Sequence, residues 1–316
     1  MAWRVDKLDA AAVGRYLDHY LGLYEDASGG AIGPKGVQTL LTDSWEAGVQ
    51  NWTSAMLAQF RARRGYDPAP WLPVLTGRVV QSAQASERFL FDYRQTLKDL
   101  VVDNHYGGRP RRPPGPGMGW PYRGPGDYPR AIADGMTAKA RADIPTAEFW
   151  YRNFRPSPAS RVKADLQEAA SAAHCPWQAA SRRRVPHRGG DVRSLVVLAG
   201  MMKPVADEIF ARVGQSASCC MSRIDAAAGR RQARPGPVSA FGQYFNRNET
   251  WAEQGRAVGQ LSRARTSHML QQGRQVADVA YFYGEEAQPH RTVQRARSTP
   301  TSPPATAMTT SIPKPC

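Results

Sequence analysis

Two carboxylic acids and two tryptophans follow a short apolar run near residue 45. The run, residues 37–42, has the β-branched composition of a strand, and Asp43, Trp45, Glu46 and Trp52 come after it. A strand that ends in carboxylates and aromatic rings is how a (β/α) barrel places catalytic groups at its C-terminal mouth. A partly desolvated acid has the raised pKa that a proton donor needs, and indole rings stack on the apolar faces of pyranoses. The pattern therefore points to sugar chemistry.

The same residue types also allow a purely structural interpretation. Asp43 is a good turn or helix cap, and the tryptophans would then be core side chains. Asp6 and Asp9 are typical of surface acids near the start of a helix. His105 and His174 are predicted at helix C-termini, where a ring that can carry a positive charge interacts favourably with the helix dipole. The residues alone leave both interpretations open.

Length and charge limit the classes of protein to which the sequence can belong. The 316 residues are enough for one barrel domain of roughly 250 residues. The formal net charge of +15 would by itself favour a nucleic-acid or anionic partner. However, acids and bases nearly balance over residues 1–107. The basic excess lies in segments rich in Pro, Gly and Ser, which are residues 109–123, 182–193, 223–234 and the tail after 290. Because these segments lack a recognisable binding fold, a nucleic-acid partner is disfavoured.

Cysteine spacing and hydropathy disfavour a zinc protein, a disulfide-rich protein and a membrane protein. The four cysteines, Cys175, Cys219, Cys220 and Cys316, have neither the spacing of a zinc site nor that of a disulfide framework. The sequence contains no transmembrane span, so we expect no membrane partner. Residues 1–6 lack the apolar region of a secretory signal, and the sequence as written gives no address outside the cytoplasm.

Helical periodicity predicts the elements that would position the acids. Helices are predicted at residues 9–24, 53–65, 82–105, 164–174, 203–212 and from about 251 to 272. A second apolar run, residues 276–284, is typical of a strand. Since strands and helices alternate, the pattern favours β/α units over an all-helical bundle. The predicted fold class is α/β, an incomplete (β/α)8 TIM-barrel-like domain over residues 1–286 with disordered basic segments.

Three irregular segments interrupt this domain where a helix should be followed by a strand. They are residues 108–124, 175–200 and 214–240. The prolines of residues 108–117 cannot donate to a central sheet ladder, so this stretch cannot be a barrel strand. The segments are either real basic insertions or translations of a GC-rich gene in the wrong frame, and their Arg, Pro, Gly, Ala, Ser and Cys content favours the second. Residues 287–316 are predicted to be a disordered tail.

The strand-end motif at residues 43–48, followed by residues 50–53, resembles glycoside hydrolase family 106, the α-L-rhamnosidases. Further stretches resemble the same family in the same order; they are residues 3–8, 63–68, 103–107, 135–139, 147–150, 170–174 and 245–251. The resemblance covers about the first 290 residues except the irregular segments. It implies a fragment of a catalytic barrel whose intact relatives carry β-sandwich domains and are usually exported to the periplasm or the cell exterior.

The resemblance also implies roles for individual residues. Members of the family invert the configuration of the sugar, and a calcium ion helps to bind it. The proton donor of the family falls on Glu46. Glu148 resembles a second functional carboxylate that touches the calcium ion or the sugar hydroxyls. The predicted substrate-binding residues are Asp43, Trp45, Asn51 and Trp52.

An inverting glycosidase also needs a carboxylate across the sugar ring that activates water, roughly 6.5–9.5 Å from the acid. The resemblance implies this general base on a strand after the helix at 164–174, but residues 177–184 contain no acid and end in three arginines. We therefore predict that this glycosidase-like chain hydrolyses rhamnose-containing oligosaccharides or glycosides weakly or not at all. The alternatives are a non-catalytic carbohydrate-binding remnant and, less favoured, a basic nucleic-acid-binding protein.

Overall fold

The computed structural model describes residues 5–33, 36–37, 40, 45, 48, 50–108, 121–123, 133–142, 144–147, 160–174, 203–204, 207, 210, 251–260, 267–270, 272, 279–282 and 308–311. Most of these residues are helical. None of the described helices combines the length and the apolar character that crossing a lipid bilayer would require.

The helices predicted in the first hundred residues are confirmed. They are α1 (Ala10–Ala27), α2 (Met56–Arg64) and α3 (Ala83–Leu100), and α3 continues as a π-helical turn, Val101–Tyr106. The side chain of Asp9 begins α1 by accepting a hydrogen bond of 2.8 Å from the backbone N–H of Ala11. Ser82 begins α3 in the same way, by accepting from the N–H of Ala85 at 3.1 Å. Asp9 therefore lies at the start of a helix, as predicted, and its side chain caps that helix.

An aromatic cluster holds α2, α3 and the connection between them together. The proline-rich connection contains a 3-10 helix, Ala69–Thr76. The Phe60 ring of α2 lies 5.6 Å from the Phe89 ring of α3, and Trp71 stacks on Phe89 at 6.0 Å. Both phenylalanines are at most 1% exposed, so these contacts form the centre of the core. The cluster continues along α3 to Tyr93, whose ring is 5.9 Å from Phe89.

A second packed region joins a short helix to a longer one. These are α4 (Gly135–Ala140) and α5 (Ser160–His174). The Nζ atom of Lys139 lies 2.6 Å from Oε2 of Glu168, and both side chains are buried. Gly135 allows this close approach, because a Cβ atom at that position would lie only 2.2 Å from Oε2 of Glu168.

The described strands form two separate parallel pairs. Strand β1 (Pro121–Arg123) pairs with β2 (Ile144–Thr146), and β3 (Val279–Phe282) pairs with β4 (Met308–Ser311). Parallel pairing is what β/α units produce. A closed eight-stranded barrel is not visible among the described residues. The predicted strand at 276–284 is confirmed by β3.

Two of these strands lie where the sequence predicts irregular structure. Strand β1 falls inside the segment 108–124, and β4 falls inside the tail 287–316 that is predicted to be disordered. Each of them gains backbone hydrogen bonds from a partner strand that composition cannot reveal. Pro121 is the first residue of β1, a position that tolerates proline, and the four residues of β4 include two β-branched threonines and no proline. Within the described residues, these seven positions are therefore strands.

Other predicted elements are only partly described. Of the predicted strand at 37–42, Val37 forms an isolated parallel bridge with Ile32, and Leu40 belongs to no regular element. The predicted helix at 203–212 is described at residues 203, 204, 207 and 210, which are helical. Two short helices, α6 (Gly255–Gly259) and α7 (Ser267–Leu270), fall in the helical stretch predicted to reach 272. The segments 175–200 and 214–240 lie outside the described residues.

Candidate functional site

Only part of the predicted site belongs to the described chain. Trp45, Asn51 and Trp52 are described, whereas Asp43, Glu46 and Glu148 lie outside the described residues. Trp45 and Trp52 have opposite environments, since Trp45 is 7% exposed and Trp52 is 47% exposed. The side chain of Asn51 is also exposed. Of the three described candidates, Asn51 and Trp52 are therefore the ones within reach of a ligand in solution.

The side chain of Trp45 closes a turn by bonding to the backbone of Gly48. Its indole Nε1 donates a hydrogen bond of 2.7 Å to the carbonyl oxygen of Gly48, whose positive φ of 72° suits glycine. The edge of His105 meets the Trp45 ring at 5.3 Å with the two planes at 90°. The Nζ atom of Lys7 lies 5.4 Å from the centroid of the same ring, a cation–π distance. The ring of Trp45 is thus fixed on one side by its own turn and on others by residues from two distant segments.

A loop at residues 50–53 follows this turn and is tied to the N-terminal segment. The Oγ1 atom of Thr53 donates a 2.8 Å hydrogen bond to Oδ2 of Asp6, and the backbone N–H of Lys7 donates to Oε1 of Gln50 at 3.1 Å. The other carboxylate oxygen of Asp6 accepts from the N–H of Leu8 at 2.9 Å. Asp6, which the sequence suggests is a surface acid, is therefore a partly buried acceptor that joins two segments.

The same loop is tied to α3 through Tyr93. The hydroxyl of Tyr93 donates to the backbone carbonyl of Asn51, and the tyrosine ring is 5% exposed. Burial raises the pKa of Tyr93 to about 12, so the hydroxyl stays protonated and able to donate at neutral pH. Sequence reasoning assigns no site role to Tyr93 or Thr53, because 42 and 47 residues separate the partners of these two bonds.

His105 is a partly buried neutral imidazole and not a helix-capping cation. It lies in the last turn of the π-helical segment, but burial, with a smaller contribution from the nearby charge of Lys7, lowers its pKa to about 4. Its Nδ1 atom is buried and has no hydrogen-bond partner within the described residues. The predicted favourable interaction of a charged ring with the helix dipole is therefore wrong, because the cost of desolvating the charge is larger.

This lowered pKa predicts that the protein loses stability in mild acid. In the unfolded chain His105 takes up a proton below its ordinary pKa of about 6.5, whereas the folded chain resists protonation down to about 4. The stabilisation from His105 is thus complete above about pH 6.5 and declines as the pH falls towards 4, by up to about 3 kcal/mol. Urea unfolding at pH 7, 5.5 and 4.5 measures this slope, and we expect His105→Gln to flatten it.

The exposed residue His19 on α1 supplies the matched control for this experiment. We expect His19→Gln to keep the slope of the wild-type protein, because this side chain is exposed and its replacement leaves the surroundings of His105 unchanged. A slope that stays the same in His105→Gln would contradict the assignment of the acid sensitivity to His105.

The described residues do not by themselves form a metal centre. Within the described ranges, three or more His, Cys, Asp or Glu side chains never come together in a way that could hold an ion. Glu148, the carboxylate that the resemblance connects with calcium, is outside these ranges.

The family of the chain follows from its sequence and from this fold. The model of the alpha-L-rhamnosidase family, glycoside hydrolase family 106, matches residues 2–307. This protein belongs to that family of glycoside hydrolases.

Two relatives place the chain within longer proteins. It is similar to the structure of a rhamnosidase from Novosphingobium sp. PP1Y, with 36% identity and a TM-score of 0.80, over 98% of this chain and 29% of that one. It is also 30% identical over 301 residues to a protein of Formosa agariphila named "Putative beta-glucuronidase". This match covers 90% of the present chain and 23% of the Formosa protein. The chain thus has the fold of one part of a glycosidase and spans less than a third of the length of either relative.

Proposed function

We propose that this chain is the part of a rhamnosidase-type glycoside hydrolase that carries the proton donor, Glu46. The observation that supports this most directly is the likeness to a rhamnosidase over nearly the whole chain, at 36% identity. The proposed architecture is an incomplete (β/α)8 barrel, and the two parallel strand pairs are of the kind that such a barrel contains. The proposed substrates are glycosides that contain rhamnose.

In this proposal Glu46 protonates the oxygen of the departing group while the sugar passes through an oxocarbenium-like transition state. Glu46 follows Trp45 directly in sequence, and Trp45 is fixed in the core by Gly48, His105 and Lys7. A firmly held neighbour limits how far the acid can drift from its working position, which is what a general acid requires. Asp43, Asn51 and Trp52 are proposed to contact the sugar.

The second requirement of an inverting mechanism is a general base. Residues 177–184, where the family resemblance implies the general base, contain no carboxylate. Without a base, water is not activated, and the loss of one acid–base partner lowers the rate by about 10²–10⁴-fold. We therefore propose weak or absent hydrolysis. Calcium, with Glu148 as a ligand, is included in the proposal on the family resemblance alone.

The expected result with phenyl α-L-rhamnoside and added calcium is release of phenol near the background rate. Azide should raise this release, because a small anion can attack the anomeric carbon without a base that removes its proton, while Glu46 protonates the departing phenolate. The product would be a rhamnosyl azide. Chromatography of the products, with wild-type protein and Glu46→Gln side by side, measures both steps.

The controls distinguish the parts of the proposal. Azide-dependent release that persists in Glu46→Gln would reject Glu46 as the acid. Rapid release without azide that is lost in Glu46→Gln would support the acid but contradict the predicted inactivity. Release from a phenyl β-glucuronide and not from the rhamnoside would reject the substrate class and favour the activity that the Formosa relative is named for.

A non-catalytic carbohydrate-binding protein is the second candidate function. The exposed ring of Trp52 favours it, since an aromatic face in solvent next to a polar side chain such as Asn51 suits a sugar whether or not a base is present. Binding of methyl α-L-rhamnoside with no turnover under any of the conditions above would favour this candidate.

A further inference from the structure

We propose that Asp6, Thr53 and Tyr93 are positioning residues that hold the loop 50–53 in one conformation and so present Trp52 to solvent as a preformed stacking surface. The role of that surface in binding sugar rests on the proposed function. The positioning itself rests only on the contacts of the described residues.

The first contact fixes the C-terminal end of the loop. Thr53 is 3% exposed, and its hydroxyl donates to Asp6 at 2.8 Å. The carbonyl of Thr53 also accepts from the N–H of Met56 at 3.1 Å, which joins the loop to the start of α2. Thr53 therefore connects the loop to the N-terminal segment and to a core helix at the same time.

The second contact fixes the middle of the loop. The Tyr93 hydroxyl reaches the carbonyl of Asn51, the residue immediately before Trp52. The tyrosine ring is part of the aromatic core, at 5.9 Å from Phe89. A backbone carbonyl that is bonded to a buried, rigid donor has little freedom to rotate. The peptide unit that leads to Trp52 is therefore held in a fixed position relative to α3.

These contacts hold the backbone of the loop in place and leave two of its side chains in solvent. Its backbone is held by the buried Tyr93, and Thr53 by the partly buried Asp6, whereas the side chains of Asn51 and Trp52 remain exposed. A large aromatic ring left 47% exposed gives up burial energy that a free loop could recover by folding the ring inwards. An aromatic platform that is ordered before the ligand arrives avoids the entropic cost of ordering it on binding.

The test follows Trp52 directly by fluorine NMR of the full chain labelled with 5-fluorotryptophan. The resonance of Trp52 is identified by its loss in Trp52→Phe. We expect one narrow line in the wild-type protein, and a line that broadens or shifts towards that of free 5-fluorotryptophan in Tyr93→Phe and Thr53→Val. Thr53→Ser, which keeps the hydroxyl, should restore the wild-type line.

Two controls show that a change is local. The resonance of Trp71, which stacks on Phe89, should stay the same in every variant that folds. Tyr16→Phe removes a hydroxyl from an exposed ring on α1 and should leave Trp52 unchanged. If Thr53→Val does not fold, Tyr93→Phe decides the question, because it keeps the ring in the core.

The sugar measurement is kept separate from the positioning measurement. Calorimetric titration with methyl α-L-rhamnoside is expected to show an affinity about five-fold weaker in Tyr93→Phe than in the wild-type protein, the population shift that one lost hydrogen bond produces. A wild-type protein that binds no rhamnoside, but whose Trp52 line responds to the variants, would support the positioning and reject the sugar. A Trp52 line that is identical in wild type, Tyr93→Phe and Thr53→Val would overturn the proposal.

Discussion

Replacing Phe89 by alanine is expected to lower the free energy of unfolding by about 3–5 kcal/mol. Phe89 is 1% exposed and touches Phe60 on α2, Trp71 on the 3-10 helix and Tyr93 one turn further along α3. Truncation therefore removes a ring that contacts α2, the 3-10 helix and a neighbour on α3, and it leaves a cavity among aromatic side chains. Such neighbours cannot collapse into the space, which puts the expected cost at the upper end of the range.

The matched control lies two residues further along the same helix. Phe91 is 48% exposed, so Phe91→Ala removes the same atoms from the surface and should change the free energy of unfolding by no more than about 0.5 kcal/mol. Urea unfolding followed by circular dichroism measures both variants. Equal effects at the two positions would show that the aromatic cluster does not form the core of the folded chain.

The aromatic core and the candidate site are connected through contacts of Tyr93 and His105. Tyr93 belongs to the aromatic cluster through Phe89, and its hydroxyl holds the loop that displays Trp52. His105, at the end of the helical segment that continues α3, packs on Trp45, the neighbour of the proposed acid. One long helix thus contacts both the loop that displays Trp52 and the ring of Trp45. A rigid scaffold of this kind is what keeps site residues within the small tolerances that catalysis and recognition need.

The parts of the fold that the sequence predicts are those set by local rules. Helices α1 and α3 follow from apolar residues at helical spacing behind a capping Asp9 and a capping Ser82. Strands β1 and β4 were not predictable in this way, because each consists of three or four residues whose stability depends on a partner strand elsewhere in the chain. Composition predicts disorder for such residues, and only pairing makes them strands.

In the candidate site, too, local sequence rules predict some features and miss those that depend on distant residues. The motif around residue 45 identifies the region and its chemistry, but spacing alone does not tell that Trp45 is buried and Trp52 exposed. The contacts of the loop connect residues that are more than 40 positions apart, and no local pattern marks Asp6 or Tyr93 as their partners. For His105 the helix-end rule predicted a charged ring, which corresponds to a raised pKa. Burial disfavours the charge and lowers the pKa instead.

Replacing Lys139 by methionine is expected to destabilise the protein by about 3–5 kcal/mol. Lys139 is fully buried, and its Nζ atom lies 2.6 Å from the carboxylate of Glu168, which is 6% exposed. Methionine fills much of the same space but leaves the buried carboxylate without this cationic partner. Gly135 packs directly against that carboxylate, which leaves no space for movement on that side. The cost is therefore the desolvation of a charge that the variant no longer compensates.

The second substitution that completes this experiment is Glu168→Gln. The double variant Lys139→Met, Glu168→Gln should recover a large part of the lost stability, because a neutral amide is far cheaper to bury than a carboxylate. The surface pair of Arg61 and Asp67 is the matched control, with the same type of contact at 2.7 Å but side chains about half exposed. Arg61→Met should cost less than about 1 kcal/mol, since water screens an exposed pair. If Lys139→Met were no more destabilising than Arg61→Met, the pair between α4 and α5 would not be the buried contact that holds these two helices together.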